Sequence, residues 1–563
     1  MSSKPLHVDY PPELSEEQAQ FLLSNLKDWS IANGLAVRPA PTVVASSLDP
    51  AGVLANTAPV TIFPSLFPRH CYEEGVAIQK SYNELYSAIA RDEEWLREIV
   101  EEICSSVRYF SFYVHAPHHG CTACWQPTLF RASRDGLASG VPAADTDVRL
   151  TGVDEFVANL WKVHLKVKEE GIVQDITLGL FRSDYMVHRD PEDVDAKPEI
   201  KQVEFNTIAS SFGGLSSRVS GLHKHLLSIE AYPAEASSAI RQDALPENKS
   251  VPSLAAGLAA AHMAYGPSRS TKPLCVLFVV QDLERNVFDQ RLLEYSLLNE
   301  SGVRSYRVPF SKVLDETKLD SQRNLIYRPK HAPGKEYEVS TVYFRAGYSP
   351  DDYPSDQEWD ARLHIERSHA IKCPSILLHL AGCKKVQQVL ATPHSPHLAR
   401  FLSDDATVSR VKKTFAPIYP LDKSDAGLEA RKLATNAETA QRYVLKPQRE
   451  GGGNNIYRKN IPPFLATLPE SSWPAYILME MIEPPAANNV IIRNGEVQKG
   501  GVIGELGVYG VCLWRHGDGA ADGGHILENW EAGYLLRTKG NQSEEGGVAA
   551  GFGAVDSICL VDV

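Results

Sequence analysis

The chain has 563 residues, 43% of them hydrophobic and 23% charged, with a formal net charge of −13 and nine cysteines. That length exceeds what one hydrophobic core usually spans, so two or more structural units are expected, and the composition is that of a globular protein rather than a disordered or fibrous one. The acidic balance excludes a broad nucleic-acid footprint, which would need a basic surface, but leaves room for a small anionic substrate in a local pocket of arginines and lysines. An odd number of scattered cysteines predicts reduced thiols rather than a disulfide framework. No window reaches the apolar length of a membrane-crossing helix, and the opening MSSKPLHVDYPPELSEEQ holds no signal-peptide core, which together predict a cytoplasmic protein.

The first sixty residues are rich in Pro, Ala and Ser, with a helical stretch at 16–29. From Lys80 onward Leu85, Ile89, Leu96, Ile99 and Ile103 recur at helical spacing, and a second helix is predicted at 153–170. Between them, residues 105–152 show no sustained period and mix histidines, cysteines, glycines and Ala/Asp runs, so they read as an irregular insertion. Near Lys272 the pattern changes. An apolar run at 275–280 suits a buried strand, a helix with Phe288, Leu292, Tyr295 and Leu298 on one face ends near Gly302, and strands follow at 305–309 and 341–345. This alternation predicts a small α/β unit with a parallel sheet over 272–383. Further strands are predicted at 443–446, 475–480 and 501–505, separated by polar, glycine-rich connections.

Five stretches carry chemistry. The strand ending at Lys446 runs through Pro447, Gln448, Arg449 and Glu450 into Gly451, Gly452, Gly453, Asn454 and Asn455. Consecutive glycines let backbone N–H groups approach a phosphate, a lysine adds compact positive charge, and an acid beside a phosphate suits Mg²⁺. The same residues also suit a flexible hairpin tip. Glu204 and Asn206 lie two apart on a predicted strand, so two hard oxygen donors share one face ahead of the Ser/Gly segment that follows; a solvated strand face would look similar. Arg182, after an apolar run, could hold a carboxylate through its guanidinium fork or make a surface ion pair. Asn286 and Gln290 fall at i and i+4 where a strand passes into a helix, the place where open α/β sheets bind ligands. Finally, Arg537 and Lys539 precede a small-residue loop, 546–551, that could close as a lid.

Together these segments resemble eukaryotic-type glutathione synthetase, one of the ATP-grasp ligases. The resemblance runs from about residue 153 to the end, with a weaker likeness over the N-terminal helices. It rests on VEFNTIASSFGG, ERNVFDQR, YFRAGY, ERSHAIKCPSILLHLAGCKKVQQ, VLKPQREGGGNN, ILMEMIEP, GELGVYGV and LLRTK with GGVAAG. It implies an α/β (α+β) fold: an ATP-grasp body over 1–271 and 384–563, a helical N-terminal part, and the unit at 272–383 as an inserted substrate-binding domain. It implies ligation of γ-glutamylcysteine to glycine with ATP and Mg²⁺, through an acyl phosphate, by a homodimer with no nucleic-acid or membrane partner. Carried over by position, Glu204, Asn206 and Glu450 would hold Mg²⁺. Lys384, Lys446 and residues 447–455 would meet the phosphates. Tyr457, Met479, Glu480, Met481, Ile482, Glu505, Lys539 and Glu545 would line the rest of the nucleotide site, where Glu204 also counts. Arg182, Ile208, Ala209, Ser210, Ser211, Glu284, Arg285, Asn286, Gln290, Arg345, Ala346, Gly347 and Tyr348 would line the peptide site. Arg537, Val548 and Ala549 would close it, and Arg182, Arg537 and Lys446 are the catalytic candidates.

Ala209 stands where some relatives have Ser, and Ala346 where some have an acid. Residues 105–152 depart further. His115, His118, His119, Cys121 and Cys124 form HxxHHxCxxC, which is compatible with Zn²⁺, with a surface insertion or with translated non-coding sequence. A sister ligase using β-alanine or serine and a non-catalytic nucleotide- or peptide-binding relative are the alternative functions.

Overall fold

The computed structural model describes residues 10–40, 43–45, 47–49, 52–113, 144–193, 195–447, 455–517, 524–541 and 553–563, with the backbone alone at 104–113 and 144–154. Helix α1 (Glu16–Ala32) starts at a capping box between Ser15 and Gln18. Helix α2 (Arg69–Arg91) buries Ile78, Tyr82, Leu85, Tyr86 and Ile89 at intervals of three and four. The helical pattern read from Lys80 is divided between two helices. Asp92 leaves helical geometry (φ −93°, ψ 76°), and its Oδ1 accepts the Trp95 N–H at 3.1 Å, capping α3 (Glu93–Tyr113). Helix α4 (Ala144–Glu170) begins well before 153. The backbone of 105–113 and 144–152 is therefore helical where irregular chain was expected. The stretch 144–152 has no amphipathic period, so the helix there left no periodic signal in the sequence. His115, His118, His119, Cys121 and Cys124 lie outside the described residues.

Strands β1 (Ile176–His188) and β2 (Glu199–Asn206) form an antiparallel pair, followed by α5 (Gly213–Ser228) and α6 (Ser250–Tyr265). Next come β3 (Leu274–Val280), α7 (Val287–Ser301), β4 (Ser305–Pro309), β5 (Tyr337–Phe344) and β6 (Ile371–Cys373). The order β4, β3, β5, β6 is parallel throughout, as alternating strands and helices predicted. Gly302 ends α7 in the left-handed region, at φ 68°. Helix α8 (Lys384–Ala391) leads to a separate four-stranded antiparallel sheet containing β7 (Tyr443–Pro447) and β8 (Tyr476–Glu480). The chain then returns to the main sheet with β9 (Ala487–Arg493), β10 (Glu496–Arg515), β11 (His525–Gly540) and β12 (Gly553–Asp556).

Strand β1 is the seam of the 13-stranded main sheet. One edge pairs with β10 from Ile176 opposite Arg515 to Tyr185 opposite Leu506. The other edge changes partner: Thr177 faces Lys372 of β6, whereas Arg182 to His188 pair with β2. A change of partner along one strand opens a crevice between the departing chains, the kind of place where α/β sheets bind ligands.

Segments far apart in sequence meet toward the other side of this sheet and in a two-stranded sheet of their own. Val60 pairs with Val555 of β12, and Ser65–Pro68 lies parallel to Ile558–Val561. Buried Asp556 accepts hydroxyl hydrogen bonds from Thr61, Ser65 and Thr538, each at 2.6 Å. Burial pushes its pKa up to about 6 against the pull of those bonds.

Candidate functional site

Strand alternation builds the site. Phe181 and Phe205 point into the core, where Phe205 stacks on Tyr86 with ring centroids 3.8 Å apart and planes 9° apart. Their neighbours Arg182, Asp184, Glu204 and Asn206 therefore face the other way. The β1–β2 register puts Arg182 opposite Asn206 and Asp184 opposite Glu204. The β10 register puts Gly507 opposite Asp184, and Glu505 lies opposite Arg537 of β11. Four adjacent strands thus deliver charged groups to one patch.

Asp184 is the hub. Fully buried, it accepts Arg182 Nε at 2.6 Å and Nη2 at 2.8 Å, Arg537 Nη2 at 2.8 Å and Asn206 Nδ2 at 3.1 Å. Arg537 Nη2 also donates to Glu505. A Cβ on Gly507 would sit 2.7 Å from Arg182 Cδ and 2.8 Å from Asp184 Oδ1, so only glycine lets β10 run beneath this pair. Lys446, at the end of β7, donates to the Val203 carbonyl at 3.4 Å, and Gln387 of α8 reaches the same oxygen at 3.4 Å. The two sheets and α8, which opens with buried Lys384, meet there.

The charges are unevenly balanced. Burial alone would raise the Glu204 pKa, but Lys384, then Arg537, Lys446 and Arg182, outweigh it and hold the carboxyl down to about 2. Glu505 moves the other way: burial raises its pKa, with Asp184 and Glu204 adding repulsion that Arg537 only partly offsets. Among the described residues the buried Nε of Arg537 has no hydrogen-bond partner, nor has that of Arg345. An unpaired buried guanidinium N–H is costly, so each has an open place for an acceptor beyond the described residues.

A second cluster adjoins the first. Arg345 donates to the Ser210 carbonyl at 3.1 Å and to Ser211 Oγ at 2.6 Å, while Tyr509 Oη donates to the Ser211 carbonyl at 2.6 Å. Buried Asp289 accepts the backbone N–H groups of Phe212 (2.8 Å), Gly214 (2.7 Å) and Leu215 (3.1 Å), fixing the turn in which Ala209 and Phe212 take positive φ. A Cβ on Gly214 would lie 2.6 Å from the Asp289 carbonyl oxygen. Glu284 accepts the Asn286 N–H at 2.8 Å and the Gln290 side-chain amide, whose oxygen takes Arg307 at 2.7 Å. Ala346 and Gly347 are buried beside Arg345, Tyr348 accepts Gln281 at 3.1 Å, Ile208 is half-buried, and Arg285 is exposed.

The remaining expected residues border the second sheet. Met479 pairs with Val444, Glu480 accepts Tyr419 Oη at 3.1 Å, and the Met481 N–H donates to the Arg442 carbonyl at 2.8 Å ahead of buried Ile482. Asn455 Nδ2 donates to Tyr457 Oη at 3.3 Å. Lys539 lies two residues beyond Arg537 on β11. Gln448 to Asn454, Glu545, Val548 and Ala549 lie outside the described residues. Among the described residues no three His, Cys, Asp or Glu side chains are grouped to hold a metal, and no helix is long and apolar enough to cross a membrane.

Asp184, Asp289, Gly507 and Tyr509 were not among the expected site residues, although Asp289, Gly507 and Tyr509 fall within the motifs ERNVFDQR and GELGVYGV. Asp184 had a usable signal, two positions from Arg182 and hence on the same strand face; Asp289 had none beyond lying inside the Asn286–Gln290 turn.

A family model described as the ATP binding domain of eukaryotic glutathione synthase matches residues 16–119 and 144–560. The match skips 120–143, a narrower interruption than the expected 105–152. The chain is 37% identical to the glutathione synthetase large chain of Schizosaccharomyces pombe, over 98% of this chain and 99% of that one. It is 34% identical to glutathione synthetase of Homo sapiens, over 96% and 97% respectively, and 35% identical to a chloroplastic glutathione synthetase of Solanum lycopersicum, over 100% and 87%. A solved glutathione synthetase-like effector from Globodera pallida shares the fold, with a TM-score of 0.67 at 19% identity over 98% of both chains. With a family match over most of its length and relatives of this identity over nearly all of it, the chain belongs to the eukaryotic glutathione synthase family.

Proposed function

We propose that the chain joins γ-glutamylcysteine to glycine at the expense of ATP, releasing glutathione, ADP and phosphate. The observation that carries this reading is the meeting of Arg182, Arg537, Lys384 and Lys446 around ionised Glu204, with Arg537 Nε unpartnered among the described residues of the buried patch. Such a patch neutralises a peptide carboxylate and a nucleotide phosphate brought face to face.

The cysteinyl carboxylate attacks the γ-phosphorus, its bond to the bridging oxygen breaks, and ADP leaves. The glycine amine then adds to the acyl carbon and phosphate departs. Arg182 and Arg537 orient the substrate carboxylates, of which only the cysteinyl one reacts, with Asp184 fixing both guanidinium groups. Lys384 and Lys446 offset phosphate charge. Arg345, with Ser210, Ser211 and Glu284, receives the γ-glutamyl end. Glu204 and Asn206 fit Mg²⁺, since an ionised carboxylate and an amide oxygen are the hard donors it accepts alongside phosphate oxygens, and Glu450 would be the third protein donor. When bound there, the ion would supply charge neutralisation between the phosphates. On the same reading, 272–383 acts as the peptide-binding unit within a body formed by 1–271 and 384–563, and the enzyme is a cytoplasmic homodimer.

The test is ADP release by the purified protein with each component omitted in turn. Release that needs Mg²⁺, γ-glutamylcysteine and glycine together is expected. Turnover with β-alanine or serine but not glycine would move the chain to a sister ligase, and release without peptide would sink the ligase reading.

A further inference from the structure

We propose that Tyr509 is a positioning residue that sets the spacing between the two ends of the peptide site. It stands on β10 directly opposite Arg182 of β1, so the two side chains leave the sheet on the same face. Two positions earlier, Gly507 lies beneath the Arg182 side chain, which folds away from Tyr509 towards Asp184. Tyr509 is fully buried, and its Oη donates to the Ser211 carbonyl at 2.6 Å. Its ring packs against the chain just beyond Ser211, with Cζ 3.8 Å from where a Cβ on Gly213 would sit. Burial raises the pKa of the phenol well above its usual value, by more than Arg182 lowers it. The hydroxyl therefore stays protonated and remains a donor at any pH the enzyme meets.

The bond matters because of what Ser211 does. Its Oγ accepts Arg345 Nη2 at 2.6 Å and donates to the Ala209 carbonyl at 3.0 Å. Ala209 and Phe212, on either side of the two serines, take positive φ, which residues other than glycine hold only where surrounding contacts impose it. Asp289 imposes it from α7 through three backbone N–H groups. Two further bonds tie the turn to the main sheet. Ser210 Oγ donates to the Leu180 carbonyl of β1 at 2.8 Å, and Tyr509 holds the next residue to β10. Adjacent residues are thus pinned to adjacent strands. The Tyr509 bond starts from the position facing Arg182, so it fixes how far the Arg345–Ser211 grip stands from the Arg182 guanidinium.

This inference rests on the function proposed above, in which Arg345 receives the γ-glutamyl end and Arg182 the cysteinyl carboxylate. A dipeptide gripped at both ends depends on the spacing of the two grips. A ligand gripped at one end does not. Loss of the Tyr509 hydroxyl leaves each grip its own bonds, Asp184 for Arg182 and Ser211 Oγ for Arg345, but frees one to drift relative to the other.

The test compares Tyr509→Phe with the wild type in ADP release, using γ-glutamylcysteine as substrate and γ-glutamylmethylamide, which lacks the second carboxylate, as competitor. We expect KM for γ-glutamylcysteine to rise about tenfold, while KM for ATP and the inhibition constant of the methylamide each stay within twofold. If the phenylalanine variant folds poorly, Ser210→Ala, which removes the neighbouring tie to Leu180, is read in the same way. A peptide KM that rises less than threefold overturns the proposal. So does an equal rise for ATP, which would mark a general loss of structure, or for the methylamide, which would confine Tyr509 to shaping one grip. A wild type that the methylamide does not inhibit also overturns it, because the γ-glutamyl end would then have no grip of its own. A wild type that never turns over γ-glutamylcysteine overturns the proposed function, and this inference with it.

Discussion

The carboxylate of Asp184 takes both Nε and Nη2 of Arg182, at 2.6 and 2.8 Å, from two positions along the same strand. It holds Arg537 at the same time. Asp184→Asn keeps the shape but removes the charge that balances two buried guanidinium groups. We expect kcat/KM to fall about 100-fold and the fold to lose about 3 kcal/mol, since breaking a buried ion pair leaves an uncompensated charge. Steady-state kinetics and urea unfolding measure the two effects; an unchanged kcat/KM would show that the arginines need no such anchor.

Gly507→Ala tests the same contact from beneath. The added Cβ would meet Arg182 Cδ and Asp184 Oδ1 below 3 Å, so the pair must move or the strand must bend. Overpacking of this kind costs about 1–3 kcal/mol. Activity should fall more steeply than stability, because the displaced atoms belong to the reacting patch. Full activity would mean that the patch tolerates displacement.

Glu204 predicts a pH dependence with a definite sign. Its folded pKa of about 2 lies below the ordinary 4.5, so the ionised group adds stability that is complete above the ordinary carboxylate range. That contribution is lost as pH falls from about 5 towards 2. Glu204→Gln should flatten this part of the profile, read as the urea midpoint between pH 5 and pH 3. Parallel wild-type and variant profiles would refute the assignment.

Arg345 and Lys446 should separate the two substrates. Arg345→Lys loses the fork that binds the Ser210 carbonyl and Ser211 Oγ, and should raise KM for γ-glutamylcysteine about tenfold with little change for ATP. Lys446→Ala should do the reverse. Equal effects on both substrates would show that the sites are not distinct.

The extents of the regular elements were legible: β4 was found to the residue, and α7 with its Gly302 end almost so, but the face read from Phe288, Leu292, Tyr295 and Leu298 is not the buried one, since Tyr295 and Leu298 are exposed while Leu293 and Leu297 are buried. The division at Asp92 was not, because the buried positions of α2 and α3 keep helical spacing across it while the break is made by a single cap. The site was legible where chemistry is local, as in Glu204 and Asn206 two apart on one strand. Asp184 and Asp289 were harder. Their roles come from partners contributed by other elements, and nothing near Asp289 in sequence reports the three backbone N–H groups it would meet.

The bonds that hold Thr61 and Ser65 to Asp556 span 495 and 491 positions. At a ribosomal rate of about 5–20 residues per second, the N-terminal strands wait roughly 25–100 s for these partners. Until Ile491 and Ile492 of β9 emerge to pair with Thr61 and Val60, these residues have a row of backbone groups with no native strand in the main sheet to receive them. The nascent chain therefore carries an open sheet edge for most of its synthesis, the kind of surface that invites chaperones or aggregation. Final closure of the main sheet must be one of the last events in making this protein.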